Sequence, residues 1–147
     1  MTKRSLQLRV VSDTESIGDD DLESDAVHTD ITTDATLTEV GGRIELGYDE
    51  ILSDDGEYSH TLIAFDRKRP QTVFLTRTGF LNMTCAIEEN MRYRFTYDIG
   101  IAAFEMISVG KKVKNSLLDS SGTLRMTYDL ELRGMTMRRC SLRLTIM

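Results

Sequence analysis

From residue 27 to the C-terminus apolar and polar residues alternate, and a period of two is the signature of a strand with one buried face. In the segment 123–133, Leu124, Met126, Tyr128, Leu130 and Leu132 share one face, while Thr123, Arg125, Thr127, Asp129, Glu131 and Arg133 share the other. The last segment repeats the pattern, with Cys140, Leu142, Leu144 and Ile146 inward and Arg139, Ser141, Arg143 and Thr145 outward. Residues 91–99 do the same: Met91, Tyr93, Phe95, Tyr97 and Ile99 stand against Arg92, Arg94, Thr96 and Asp98. A helix needs apolar residues three as well as four apart, and strict alternation supplies no spacing of three.

Turn signals divide the alternating runs at short intervals: Gly41-Gly42, Asp54-Asp55-Gly56, Arg69-Pro70, Thr78-Gly79, Glu88-Glu89-Asn90, Asp98-Ile99-Gly100, Ser120-Ser121-Gly122 and Arg133-Gly134. Glycine and asparagine supply the left-handed conformation of tight hairpins. The pattern predicts strands over 4–12, 27–39, 43–52, 58–67, 71–77, 80–87, 91–98, 101–109, 111–119, 122–132 and 135–146. An open meander of this length exposes two unpaired edges, and closure removes them. The expected fold is all-β: one antiparallel up-and-down barrel over residues 1–147, a length that suits a single domain.

Charge is unevenly spread. Residues 12–38 hold nine acids and no lysine or arginine, whereas the other 15 acids face 18 bases. The densest part, from Ser12 to Ser24, has only Ile17 and Leu22 as large apolar residues. Such a stretch buries too little surface to offset its ordering entropy, which predicts a mobile acidic loop at about 13–26. Asp19, Asp21, Glu23, Asp25 and Asp30 faintly echo a calcium loop, but Ser24 stands where such a loop needs glycine. A solvated loop is the plainer expectation.

Two cysteines cannot build a disulfide framework, no run of 18 apolar residues exists, and the first residues form no apolar signal core. The expectation is a cytoplasmic protein with no membrane segment. Cys85 and Cys140 share parity with Leu81 and Leu142 respectively, so both are expected as core thiols.

Leu46-Gly-Tyr48-Asp-Glu50, Arg77-Thr-Gly79 followed by Met83, Glu88-Glu-Asn-Met-Arg92, Tyr97-Asp-Ile-Gly100, and Gly122-x-Leu-x-x-x-Tyr128-x-Leu leading to Gly134 follow one another along the chain. Taken in this order, they resemble the YwiB-like family, small uncharacterised bacterial proteins with a calycin-like barrel. The resemblance runs from about Val27 to the end. It departs at Asn90, where the family has a turn glycine, and at Gly110, where the family tends to have threonine. It implies a lipocalin-like barrel and a mouth suited to an apolar ligand. It implies no reaction.

Known chemical motifs are absent: no phosphate-cradling glycine loop, no nucleophile elbow, no paired histidines at zinc spacing. No cofactor and no metal site are expected. One constellation stands out. Glu50 shares inward parity with Ile44, Leu46 and Tyr48, and Arg77 shares it with Val73 and Leu75. A buried charge must be paired or it is strongly penalised. Tyr48, Glu50, Arg77, Tyr93 and Tyr97 are therefore candidates either for a pocket that anchors a ligand headgroup or for a polar plug closing one barrel end. The bases do not interleave with aromatics, which argues against nucleic acid. Three functions are weighed. The first is a non-enzymatic barrel that takes a small, partly apolar ligand in its mouth. The second is a protein-interaction module with a solid barrel. The third, ranked last, is an enzyme using Glu50 as acid or base. A homodimer stays open.

Overall fold

The computed structural model describes residues 2–17, 26–51 and 58–147. Ten strands follow in order: β1 (Thr2–Ser16), β2 (Ala26–Val40), β3 (Arg43–Ile51), β4 (Tyr58–Asp66), β5 (Arg69–Gly79), β6 (Met83–Ile87), β7 (Arg92–Asp98), β8 (Ala103–Ser116), β9 (Thr123–Leu132) and β10 (Met135–Ile146). They hydrogen-bond in the order β6-β5-β4-β3-β2-β1-β10-β9-β8-β7, and every ladder is antiparallel. Only the β1–β10 ladder joins strands distant in sequence. The sheet rolls until its two edges, β6 and β7, meet as chain neighbours. The fold is an all-β, nearly closed antiparallel barrel, and no described residue is helical. Accordingly, no helix is long and apolar enough to cross a membrane.

The β6–β7 seam lacks a continuous ladder and is closed piecemeal. At one end Asn82 and Asp98 exchange backbone bonds of 2.8 and 3.0 Å. In the middle, the buried Ser108 hydroxyl donates to the Ala86 carbonyl at 2.8 Å. At the other end the 88–91 turn folds onto β8: Asn90 N–H donates to the Gly110 carbonyl and Gly110 N–H to the Met91 carbonyl. A Cβ on Gly110 would fall 2.0 Å from the Glu88 carbonyl oxygen, so this approach requires glycine. Beyond it, the Gln71 side chain accepts from Asn115 N–H at 3.0 Å and donates to the Asn115 carbonyl at 3.3 Å, standing in for a strand residue.

Two features differ from the sequence pattern. The segments 101–109 and 111–119 form one strand, β8, with an irregularity between Gly110 and Lys112. An extra residue shifts the parity there, so Met106 and Ser108 are buried before it and Val113 and Asn115 after it. β1 also runs on to Ser16 rather than stopping near residue 12. The acids there find cross-strand partners: Asp13 pairs with His28, and Glu15 lies opposite Arg139 of β10. Residues 18–25, the heart of the expected acidic loop and of the calcium-like echo, lie outside the described residues, as does the Asp54-Asp55-Gly56 turn.

Inward residues of all ten strands meet in one core, which includes Leu8, Val10, Leu46, Ile63, Leu75, Ile87, Leu124, Met126 and Leu144. Cys85 and Cys140 are buried and unbridged. Met91 has inward parity but is 43% exposed, because it belongs to the 88–91 turn rather than to β7.

Candidate functional site

The strand ends divide between two ends of the barrel. One end carries both termini with the β2–β3, β4–β5, β6–β7 and β8–β9 turns. The opposite end carries the β5–β6, β7–β8 and β9–β10 connections, together with the last residues of β1 and β3 and the first of β2 and β4. Register places Tyr48 beside Thr61, Glu50 beside Ser59, and Thr61 beside Arg77, so three adjacent strands, β3, β4 and β5, present polar groups to the interior near that opposite end.

Arg77 Nη2 lies 3.4 Å from Glu50 Oε1, and the two side chains are 12% and 4% exposed. Thr61, fully buried, donates its hydroxyl to the same Glu50 oxygen at 2.6 Å. The contacts then run out. Among the described residues, Arg77 Nε, the Tyr48 hydroxyl and the Ser59 hydroxyl are buried without a hydrogen-bond partner. Such atoms are scarce in folded proteins, and each costs about 1–3 kcal/mol of desolvation if left unmet.

The electrostatics follow from burial. Burial pushes the Tyr48 phenol upward, with the Glu50 carboxylate adding to it, and burial pushes Tyr128 upward as well. Both tyrosines stay neutral. For Arg77 burial works against the charge, but Tyr128, Glu50 and Tyr48 outweigh it and the guanidinium is raised. Of those neighbours only Glu50 is an anion at neutral pH. Cys85 faces the same interior, and its thiol is pushed up to about 12 by burial.

The five residues that parity singled out do not all converge. Tyr48, Glu50 and Arg77 meet. Tyr97 packs on the core toward the same end, near the Asn82–Asp98 bridge. Tyr93 lies four residues earlier along β7, about 13 Å away at strand rise, and its hydroxyl donates instead to Glu88 Oε1 at 3.2 Å near the terminal end. Parity gives a face but not a height along the barrel. Ser59 and Thr61 escaped the sequence reading. They continue the inward alternation of Ile63 and Phe65, so following β4 past its apolar residues would have found them. Nothing in the sequence indicated that Tyr128 and Cys140, from the far wall, face Arg77.

Grooves lie elsewhere, including one of about 410 Å³ beside Arg94, Phe104 and Glu131. Another, of about 610 Å³, crosses the outer face over Gly47, bordered by Gln7, Asp34, Asp49 and His60, and shares only Tyr48 with the cluster. His60 Nδ1 sits 2.8 Å from Asp49 Oδ1 there. A third, of about 440 Å³, lies beside Gln71, Glu88 and Asn115 at the terminal end. Among the described residues no three His, Cys, Asp or Glu side chains gather as a metal site.

The comparisons with known proteins agree with this architecture. The crystal structure of the ywiB protein from Bacillus subtilis superposes with a TM-score of 0.71 over 99% of this chain and 93% of that one, at 16% identity. At that identity the likeness speaks for the fold alone. No curated protein matches the chain. A family described as a domain of unknown function, DUF1934, matches residues 14–144, which is nearly the whole barrel, and the chain belongs to that family.

Proposed function

We propose that the protein is a binding barrel that takes a small, partly apolar ligand into the end opposite the termini, with Arg77, Tyr48 and Ser59 holding its polar part. One observation carries this reading: three buried polar atoms on adjacent strands have no partner among the described residues. A ligand with acceptor atoms would meet them. Half-buried Tyr97, Ile99 and Leu132, packed on the core at this end, offer apolar contact for the rest of such a molecule. The two buried, unbridged thiols suit a reducing cytoplasm.

A second reading has its own support. Tyr58, Phe80, Ile101 and Met135 are exposed at the same end, with Ile101 95% exposed, and an apolar rim of this kind also suits a protein partner on a solid barrel.

Native mass spectrometry of the freshly purified chain separates the two. The ligand reading expects a species heavier than the 16.7 kDa chain by a small-molecule mass, diminished in Arg77→Met and in Tyr48→Phe. A single mass equal to the bare chain, or a bound mass indifferent to both substitutions, would overturn it.

A further inference from the structure

The charge balance of the buried cluster bears on which ligands can enter, and this inference rests on the binding reading above. The buried acids among the described residues are Glu50 and Asp129. Asp129 belongs to the other face of β9, where the Arg139 guanidinium bonds it at 2.9 and 3.3 Å. Among the described residues, Glu50 is therefore the one acid that faces Arg77 inside the barrel end, and their formal charges cancel. Thr61 occupies the Glu50 oxygen nearest Arg77.

The atoms left over are a guanidinium N–H, which can only donate, and two hydroxyls, which can donate or accept. An uncharged head with acceptor oxygens completes them and leaves the cluster neutral. A carboxylate would make the same hydrogen bonds but would bring a second negative charge beside Glu50, leaving one net charge out of water. We infer that the ligand is a neutral amphiphile whose buried end is an ester, amide or alcohol oxygen, and that Glu50 is the residue that excludes carboxylates.

The test compares probes that share a ten-carbon tail: 1-decanol and methyl decanoate against decanoate, at pH 7.5, below their aggregation limits, with the full chain. Binding is read by native mass spectrometry and by thermal shift. The neutral probes are expected to bind about tenfold or more tightly than decanoate, since an uncompensated buried charge is strongly penalised. In Glu50→Gln the cluster gains a net positive charge, and the order should reverse in favour of decanoate. Decanoate binding the unmodified chain as well as decanol would overturn the inference and leave the binding barrel standing. A ratio unchanged by Glu50→Gln would also overturn it. Failure of all three probes to bind would overturn the binding reading itself. If Glu50→Gln does not fold, the ratio in the unmodified chain decides alone.

Discussion

Replacing Glu50 by Gln keeps the side chain's shape and removes the one anion that faces Arg77 among the described residues. At 3.4 Å and an effective dielectric of about 20, the pair attracts by about 5 kcal/mol, and both ions lose hydration in return. Breaking such a buried pair from one side typically costs about 3–5 kcal/mol, because the survivor is left uncompensated. The two survivors differ. After Arg77→Met, the Glu50 carboxylate keeps the Thr61 hydroxyl at 2.6 Å. After Glu50→Gln, the guanidinium stays charged, and its Nε already has no partner among the described residues. Glu50→Gln should therefore lie at the upper end of that range and Arg77→Met at the lower. The double variant removes both orphans and should cost about 2 kcal/mol less than the sum of the singles. Urea unfolding followed by circular dichroism measures all three, since the chain has no tryptophan. The slope against urea should not change, so that midpoint shifts read as stability. Strictly additive effects, or a single variant within about 0.5 kcal/mol of the parent, would refute the coupling.

Gly110→Ala should cost about 3 kcal/mol or more, because its Cβ would sit 2.0 Å from the Glu88 carbonyl oxygen; an unchanged thermal midpoint would refute the close approach at the seam. Ser108→Ala should cost about 1–2 kcal/mol through the lost bond to Ala86, and amide exchange should quicken in β6 and β7 before the other strands. Cys85 and Cys140 should react slowly with a thiol reagent at pH 8 until denaturant is added, since burial raises both thiols, Cys85 to about 12; fast native labelling would refute their place in the core.

Alternation made the strands and their inward faces legible because one physical rule, burial of every second side chain, governs most of this chain. Glu50 and Arg77 were recognisable for the same reason: each is a charge on an otherwise apolar face. What alternation could not carry is distance. Tyr93 and Tyr97 share a face of β7 yet serve opposite ends of the barrel. β8 defeated the rule for a second reason. The sequence pattern divides two strands at Gly110, but this glycine is there to let the Glu88 carbonyl approach, and β8 continues through it with one extra residue. Seam closure by Ser108, Gln71 and Asn115 is likewise a matter of which strands end up adjacent. Side chains that bond a neighbouring strand's backbone leave no periodic trace.

The chain contains its own control for the buried pair. Asp129 and Glu50 are nearly equally hidden, with side chains 4% exposed in each case. Arg139 meets Asp129 with two hydrogen bonds to its two oxygens, and Lys111 approaches one of them at 3.9 Å. That pair ties β9 to β10 just past the Thr136/Arg138 irregularity, where the two are direct register partners, and leaves no carboxylate oxygen unmet. Arg77 instead approaches Glu50 without a hydrogen bond from Nε, beside two hydroxyls that also lack partners among the described residues. A pair serving only to close the barrel gains nothing from unmet donors, each of which costs free energy. The contrast between the two is what supports the proposal that the Arg77 end is built around something the described residues do not supply.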